Sequence, residues 1–352
     1  MLLRWTYGLR ALLLLILAYT SALLLPEAQA ASCKTASQMT APQRDALVNA
    51  ARSLVSQVQS GNVQALRANT IPEVAANFGG IAASVENLKP LVQQATITVN
   101  SVYALDASTE PAGAARTDFY CGTPLVVLNF NGLPTGSYGL AILHATGVPQ
   151  PQQISLVLSQ ISENQWKLAG FFSRPMLEAG HDGLWYWESA RKYAQQNMNW
   201  NAWFYYRMAV DLLDPVEFLS SPNLEKLQHE ANGTRPVSLP GATPMALNAH
   251  GAVFNVTAID TTVALGPLDL EVHYTPDAAQ VAQLRDPAQA RRQVVDVMTA
   301  LLSQHPELHA AFHGIWTHAD QGNASLFALE LPMEQIAAGT QPPATGATPV
   351  VQ

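Results

Sequence analysis

Charge is what this chain has least of. Lys, Arg, Asp and Glu make up 12% of its 352 residues, about half of the ~25% usual for globular domains, and lysine occurs only at Lys34, Lys89, Lys167, Lys192 and Lys226. With a formal net charge of -8 there is no basic field to draw phosphate backbones, which argues against nucleic acid as a partner. Catalytic signatures are missing as well. No Walker loop, G-x-S-x-G, H-E-x-x-H or C-x-x-C occurs, so the commonest nucleotide enzymes, hydrolases and dithiol redox proteins are disfavoured. A lone S-x-x-K at Ser189–Lys192 has neither S-D-N nor K-T-G after it and carries no weight.

Cysteine is equally sparse, with Cys33 and Cys121 alone, and its meaning depends on the compartment. Residues 1–30 read as a secretory signal: Arg4 and Arg10 precede the apolar Ala11–Leu25 run, then come Pro26 and the small-residue cleavage site Ala28-Gln29-Ala30. The expected location is periplasmic or extracellular, where two thiols permit one intramolecular bridge, Cys33–Cys121. Lipidation of Cys33 is the competing reading, although Ala30-Ala31-Ser32 lacks the leucine usual before a lipoprotein cysteine. Membrane association is expected only if the leader is retained or Cys33 is acylated.

What is present is apolar. At 48% hydrophobic residues the chain can fill roughly two domain cores. From Ala41 to Leu91 the apolar positions recur at three and four, as in Ala46, Leu47, Ala50, Leu54 and Val58, which predicts helices. Beyond Ile97 the period becomes two, through Phe119–Cys121, Val126–Phe130, Tyr138–His144, Ile154–Leu158 and Trp166–Phe172, which predicts an antiparallel meander wrapped on those helices. The fold class is therefore α+β.

This order of N-terminal helices and a curved sheet ending in Gln165–Pro175 resembles the cone-shaped NTF2-like fold over residues 31–175. The resemblance implies a pocket at the open end of the cone, where Asp118, Tyr120 and His144 are the polar side chains able to face an interior. Fold alone does not transfer function.

Residues 181–230 hold the aromatic part of the chain, with Trp185, Trp187, Trp200 and Trp203. Two helices are predicted, Gly183 to about Gln196 and about Asn201 to Leu213. The spacing Ala190, Tyr193, Ala202, Tyr206, Ala209 resembles a single tetratricopeptide repeat, departing from it in the placement of Pro215. One repeat cannot build a groove, so the four tryptophans are expected to pack between domains or to serve as an interaction surface. A short helix capped by Ser221-Pro222 follows.

A Pro/Gly-rich linker, residues 231–244, leads to a small α+β domain over 245–336, read as ββαββ with its helix started by Asp286-Pro287. The tail, 337–352, has the composition of a disordered segment. Four of the nine histidines lie between His305 and His318. Pro306 should end the long helix and start a separate turn on which His309 and His313 share a face, a spacing able to hold a transition metal. With no cysteine near and Asp320 the only aspartate nearby, no metal and no other cofactor is expected. The functional expectation is an exported, non-catalytic protein that binds a protein or cell-envelope component. The alternative is a small-molecule binder or enzyme using the N-terminal pocket.

Overall fold

The computed structural model describes residues 31–123 and 125–337; the expected leader, 1–30, and the tail beyond residue 337 lie outside the described residues. The class is α+β, with ten helices and fifteen strands among those residues. No helix among them is long and apolar enough to cross a membrane.

The N-terminal unit begins with β1 (Ser32–Thr35), followed by α1 (Ala41–Ser60), α2 (Val63–Ala68), α3 (Pro72–Ala75) and α4 (Gly79–Val92). Thr40 caps α1 by accepting the N–H of Gln43, and Gly61, in left-handed geometry, closes it. The strands β2 (Thr96–Asp106), β5 (Ser137–Thr146), β6 (Gln152–Ser162) and β7 (Gln165–Pro175) join β1 in an antiparallel sheet ordered β1-β2-β5-β6-β7. One face of this sheet presents Ala141, Leu143, Ile154, Leu156 and Leu158 to Leu47, Leu54, Val55 and Val85 of the helices. Gly139 permits that approach, since a Cβ there would stand 2.5 Å from Leu47 Cδ1.

The opposite face is also covered, and here the structure departs from the single wrapped meander. The hairpin of β3 (Arg116–Cys121) and β4 (Val126–Asn131) leaves the main sheet and forms a second, three-stranded sheet with β10 (Leu219–Ser220). Its inner side chains Phe119, Cys121 and Leu128 pack on Leu140, Ile142 and Val157. The reason is visible in β5 and β6, whose residues are buried on both faces. A strand apolar on both sides needs two covers, and the helices supply one.

Cys33 and Cys121 form a disulfide, with Cα atoms 5.1 Å apart. Cys33 lies in β1, paired with Leu105 of β2, and Cys121 lies in β3, so the bond joins the edge of the first sheet to the second.

After the short hairpin β8 (Leu177–Glu178) and β9 (His181–Asp182) come α5 (Gly183–Gln195), α6 (Asn199–Leu213) and α7 (Pro222–Thr234). Asp182 and Ser221 cap α5 and α7 through their side chains. The C-terminal sheet is ordered β11-β12-β13-β14-β15, from β11 (Met245–Ala249), β12 (Ala252–Thr262), β13 (Asp269–Thr275), β14 (Gly314–Gln321) and β15 (Ala324–Pro332). β13 and β14 are parallel, and the chain crosses between them through α8 (Ala278–Gln283) and α9 (Pro287–Gln304), before α10 (Met333–Ala337) ends the described residues. The expected ββαββ order thus lacks one strand. Met245-Ala246-Leu247 alternates buried and exposed, but the stretch is too short to stand out beside the linker. One apolar core runs through α5, α6 and the C-terminal sheet, with Tyr186, Trp200, Phe204 and Tyr205 joined to Phe254, Val297, Phe312 and Ile315.

Candidate functional site

A cavity of about 980 Å³ lies in the N-terminal unit between the main sheet and the β3–β4 hairpin. That size is at the upper end of what small-molecule sites usually offer. α3 and the residue before it bring Ile71 and Glu73; β3 and β4 bring Arg116, Asn129 and Phe130; the loop after β4 brings Leu133 and Pro134. The main sheet supplies Val157, Ser159, Ala169 and Phe172, and the segment joining α6 to α7 supplies Glu217 and Phe218.

Three phenyl rings form one wall, with Phe130 and Phe218 centroids 4.6 Å apart and Phe172 and Phe218 5.4 Å apart. Phe172 and Ile161 also remain substantially open to solvent, at 40% and 51%, which is unusual for apolar side chains lining a concavity unless something covers them. The polar edge is held in place. Arg116 donates from Nε to Asp118 Oδ1 at 2.7 Å and from Nη2 to Asn129 Oδ1 at 2.7 Å. Tyr138 donates its hydroxyl to the Pro134 carbonyl at 2.9 Å, and burial raises its pKa, so it stays a neutral donor. The lining is an apolar trough whose polar groups are the Arg116 guanidinium, the amides of Asn129 and Asn131, the Ser159 hydroxyl and the carboxylates of Glu73 and Glu217.

The three pocket residues expected from sequence are not brought together. Asp118 touches the cleft only through Arg116, Tyr120 is 62% exposed, and His144 faces Gln153, its Nε2 3.2 Å from Oε1; none of the three lines the cavity. The helices already occupy the sheet face that a cone interior would use, so the space opens on the other side. The cleft residues carried no sequence signal, because Phe218 and Phe130 meet only through the pairing of β10 with β4.

Among the aromatic residues, Trp200 and Trp203 are buried. Trp187 donates from Nε1 to Glu230 Oε2 at 2.7 Å, a carboxylate that also takes Arg191 in a bidentate pair at 2.7 and 2.8 Å. These donors hold the Glu230 pKa below its ordinary value, Arg191 foremost. Trp187 is half-buried, and Trp185 is exposed, stacked on His181 at 3.5 Å between ring centroids. Tyr186 is pushed up to about 12 by burial, with Glu178 adding to the effect.

The histidines of the 305–318 stretch disperse. His305 lies on Trp200, ring centroids 4.1 Å apart, and burial lowers its pKa against the opposing pull of Glu307. The turn after Pro306 is a 3-10 helix that ends at Ala310, so His309 and His313 do not share a helical face as expected. Three residues per turn, rather than 3.6, and the early stop separate them. His313 instead meets Asp269, Nδ1 to Oδ1 3.0 Å, near Glu330. His318 meets His273 and Glu271. Two groups among the described residues could therefore hold a cation, Glu271–His273–His318 and Asp269–His313–Glu330. Alternation in the sequence carries part of the first, placing Glu271 and His273 on one face of a strand and Trp316, His318 and Asp320 on one face of another, but not the pairing that joins the two strands.

Compared with family models, curated proteins and solved structures, the chain matches none.

Proposed function

We propose that this is an exported, non-catalytic binding protein that takes an apolar component of the cell envelope, such as an acyl chain with a polar end, into the N-terminal cleft. The carrying observation is the trough itself: about 980 Å³ with Phe130, Phe172 and Phe218 along one wall and Arg116, Asn129, Asn131, Glu73 and Glu217 as its polar and charged lining. Apolar walls supply affinity through removal of area from water, at ~25 cal/mol per Å², and the few polar groups orient the head of the ligand. Export is supported by the leader sequence and by the disulfide. The cleft lies where the N-terminal unit meets the segment between α6 and α7, the kind of junction in which ligand sites recur.

The test is displacement of an environment-sensitive fluorescent fatty acid. Saturable binding should occur with the intact protein, and Ala169→Trp, which places an indole in the trough, should abolish it while far-UV dichroism is kept. Phe218→Ala should weaken it about tenfold or more, as expected when an aromatic contact is truncated. Equal binding by wild type and both variants, or none by wild type, would remove the cleft as the site.

A further inference from the structure

On the outer face of the C-terminal sheet, β13 and β14 run parallel and place Glu271 beside Trp316 and His273 beside His318. We propose that Glu271, His273 and His318 form a binding site for a divalent transition-metal ion, held through Nε2 of each histidine and Oε1 of the glutamate. The three ligand atoms lie within 4.8 Å of one another. Oε1 of Glu271 stands 3.5 Å from His273 Nε2 and 3.3 Å from His318 Nε2. Charge-assisted hydrogen bonds are shorter, about 2.7–2.9 Å. A tetrahedral ion with bonds of about 2.0–2.1 Å sets its ligand atoms about 3.3–3.4 Å apart, close to the two distances from Glu271 to the histidines.

The protons are arranged for the same purpose. Asp320 Oδ2 lies 2.6 Å from His273 Nδ1, and a carboxylate only accepts, so Nδ1 carries the hydrogen and the neutral ring keeps its lone pair on Nε2. Histidine ligands to metals are oriented by this kind of carboxylate partner. His318 Nε2 is sealed from solvent and has no hydrogen-bond partner, its approach to Glu271 lacking hydrogen-bond geometry. An orphaned buried ring nitrogen beside a carboxylate is costly on its own and is resolved by a shared cation. Two imidazoles and one carboxylate suit zinc, nickel, cobalt or copper rather than calcium or magnesium. The rings lie stacked, 4.6 Å between centroids and 16° between planes, so loading turns at least one of them about its Cβ–Cγ bond. Three protein ligands leave coordination positions for water or an incoming donor.

The experiment uses the full exported protein, produced without a histidine tag, stripped with chelator and titrated with cobalt and zinc. About one equivalent should bind, cobalt should show the visible absorption of a low-coordinate nitrogen–oxygen site, and the His273→Ala/His318→Ala pair should lose at least 100-fold in affinity. Asp320→Asn should lose about 10- to 100-fold, acting through the orientation of His273, while His309→Ala should bind as wild type. Absence of stoichiometric binding to wild type would overturn the proposal without reference to any variant. Loss in His313→Ala with full retention in the His273/His318 pair would also overturn it, because the ion would then sit with Asp269 and Glu330.

Discussion

Opening the Cys33–Cys121 bond tests how the N-terminal unit is held together. The two residues are 88 apart in sequence. In the chain-entropy description, cross-linking at that separation removes about 15 cal/mol/K from the unfolded chain, ~4.6 kcal/mol at 25 °C. Cys121 is fully buried, so alanine is the right replacement, avoiding the cost of an unpaired buried hydroxyl. The Cys33→Ala/Cys121→Ala protein should therefore unfold about 4 to 5 kcal/mol more easily. At an m-value of ~2 kcal/mol per M urea, the midpoint falls by about 2 M, read from far-UV dichroism. Cys33→Ala alone should lose nearly as much, since either change opens the same loop. β1 also pairs with β2, so the arm should stay docked while the β3–β4 hairpin loosens, and ligand binding in the cleft should weaken with it. A stability loss below ~1 kcal/mol in the double variant would refute the entropic account. A diacylglyceryl mass on Cys33, or an alkylatable Cys121 in the native exported protein, would refute the bond itself.

Trp203→Ala should destabilise by about 3 to 5 kcal/mol, the usual cost of truncating a large buried aromatic, because Trp203 is 8% exposed within the shared core; thermal unfolding measures it, and a near-zero change would place the ring outside that core. Burial pushes the Asp214 carboxyl up to about 6, from an ordinary 3.8. The folded state therefore favours its protonated form, so the contribution of Asp214 to stability is fullest below pH 4 and is lost as pH rises through about 6. Asp214→Asn, which keeps an oxygen to accept the Val216 N–H, should raise stability at pH 7.5 by about 1 to 3 kcal/mol and flatten that slope; an unchanged pH profile would show that Asp214 ionises freely. Glu230→Gln, which leaves Arg191 and Trp187 with a weaker acceptor, should cost about 1 to 2 kcal/mol, and more after Glu230→Ala; equal stability of all three proteins would mean the pair is solvent-screened.

How much was legible in the sequence follows from how local each feature is. Helix limits rested on nearest neighbours and came through, as with Asp286-Pro287 at the start of α9 and Ser221-Pro222 at the start of α7. The bridge was legible because two thiols leave one pairing. Period-two alternation located β3 and β4 as strands but not their sheet, since pairing partners are set by distant residues such as Leu219 and Ser220. For the same reason Asp118, Tyr120 and His144 looked like cone-facing groups, yet they stand apart, and the cleft is built from Phe130, Phe172 and Phe218, which nothing in the local pattern connects. His309 and His313 misled because an α-helical period was expected in the separate turn that Pro306 starts, which is a tighter 3-10 turn ending at Ala310. Their neighbour His318 found its partner, His273, across a parallel pairing that no local window contains.

The pairing of Leu219 and Ser220 with β4 bears on how this chain could be divided or recombined. A fragment ended at Pro175, where the main sheet closes, would expose the edge of β4 and lose Phe218 from the cleft wall. The same two residues lie between helices that build the other core, so neither unit is a transferable cassette. A gene fusion or truncation that respects both must keep the chain whole through α7, and sequence drift in either unit is constrained by the fit of the other.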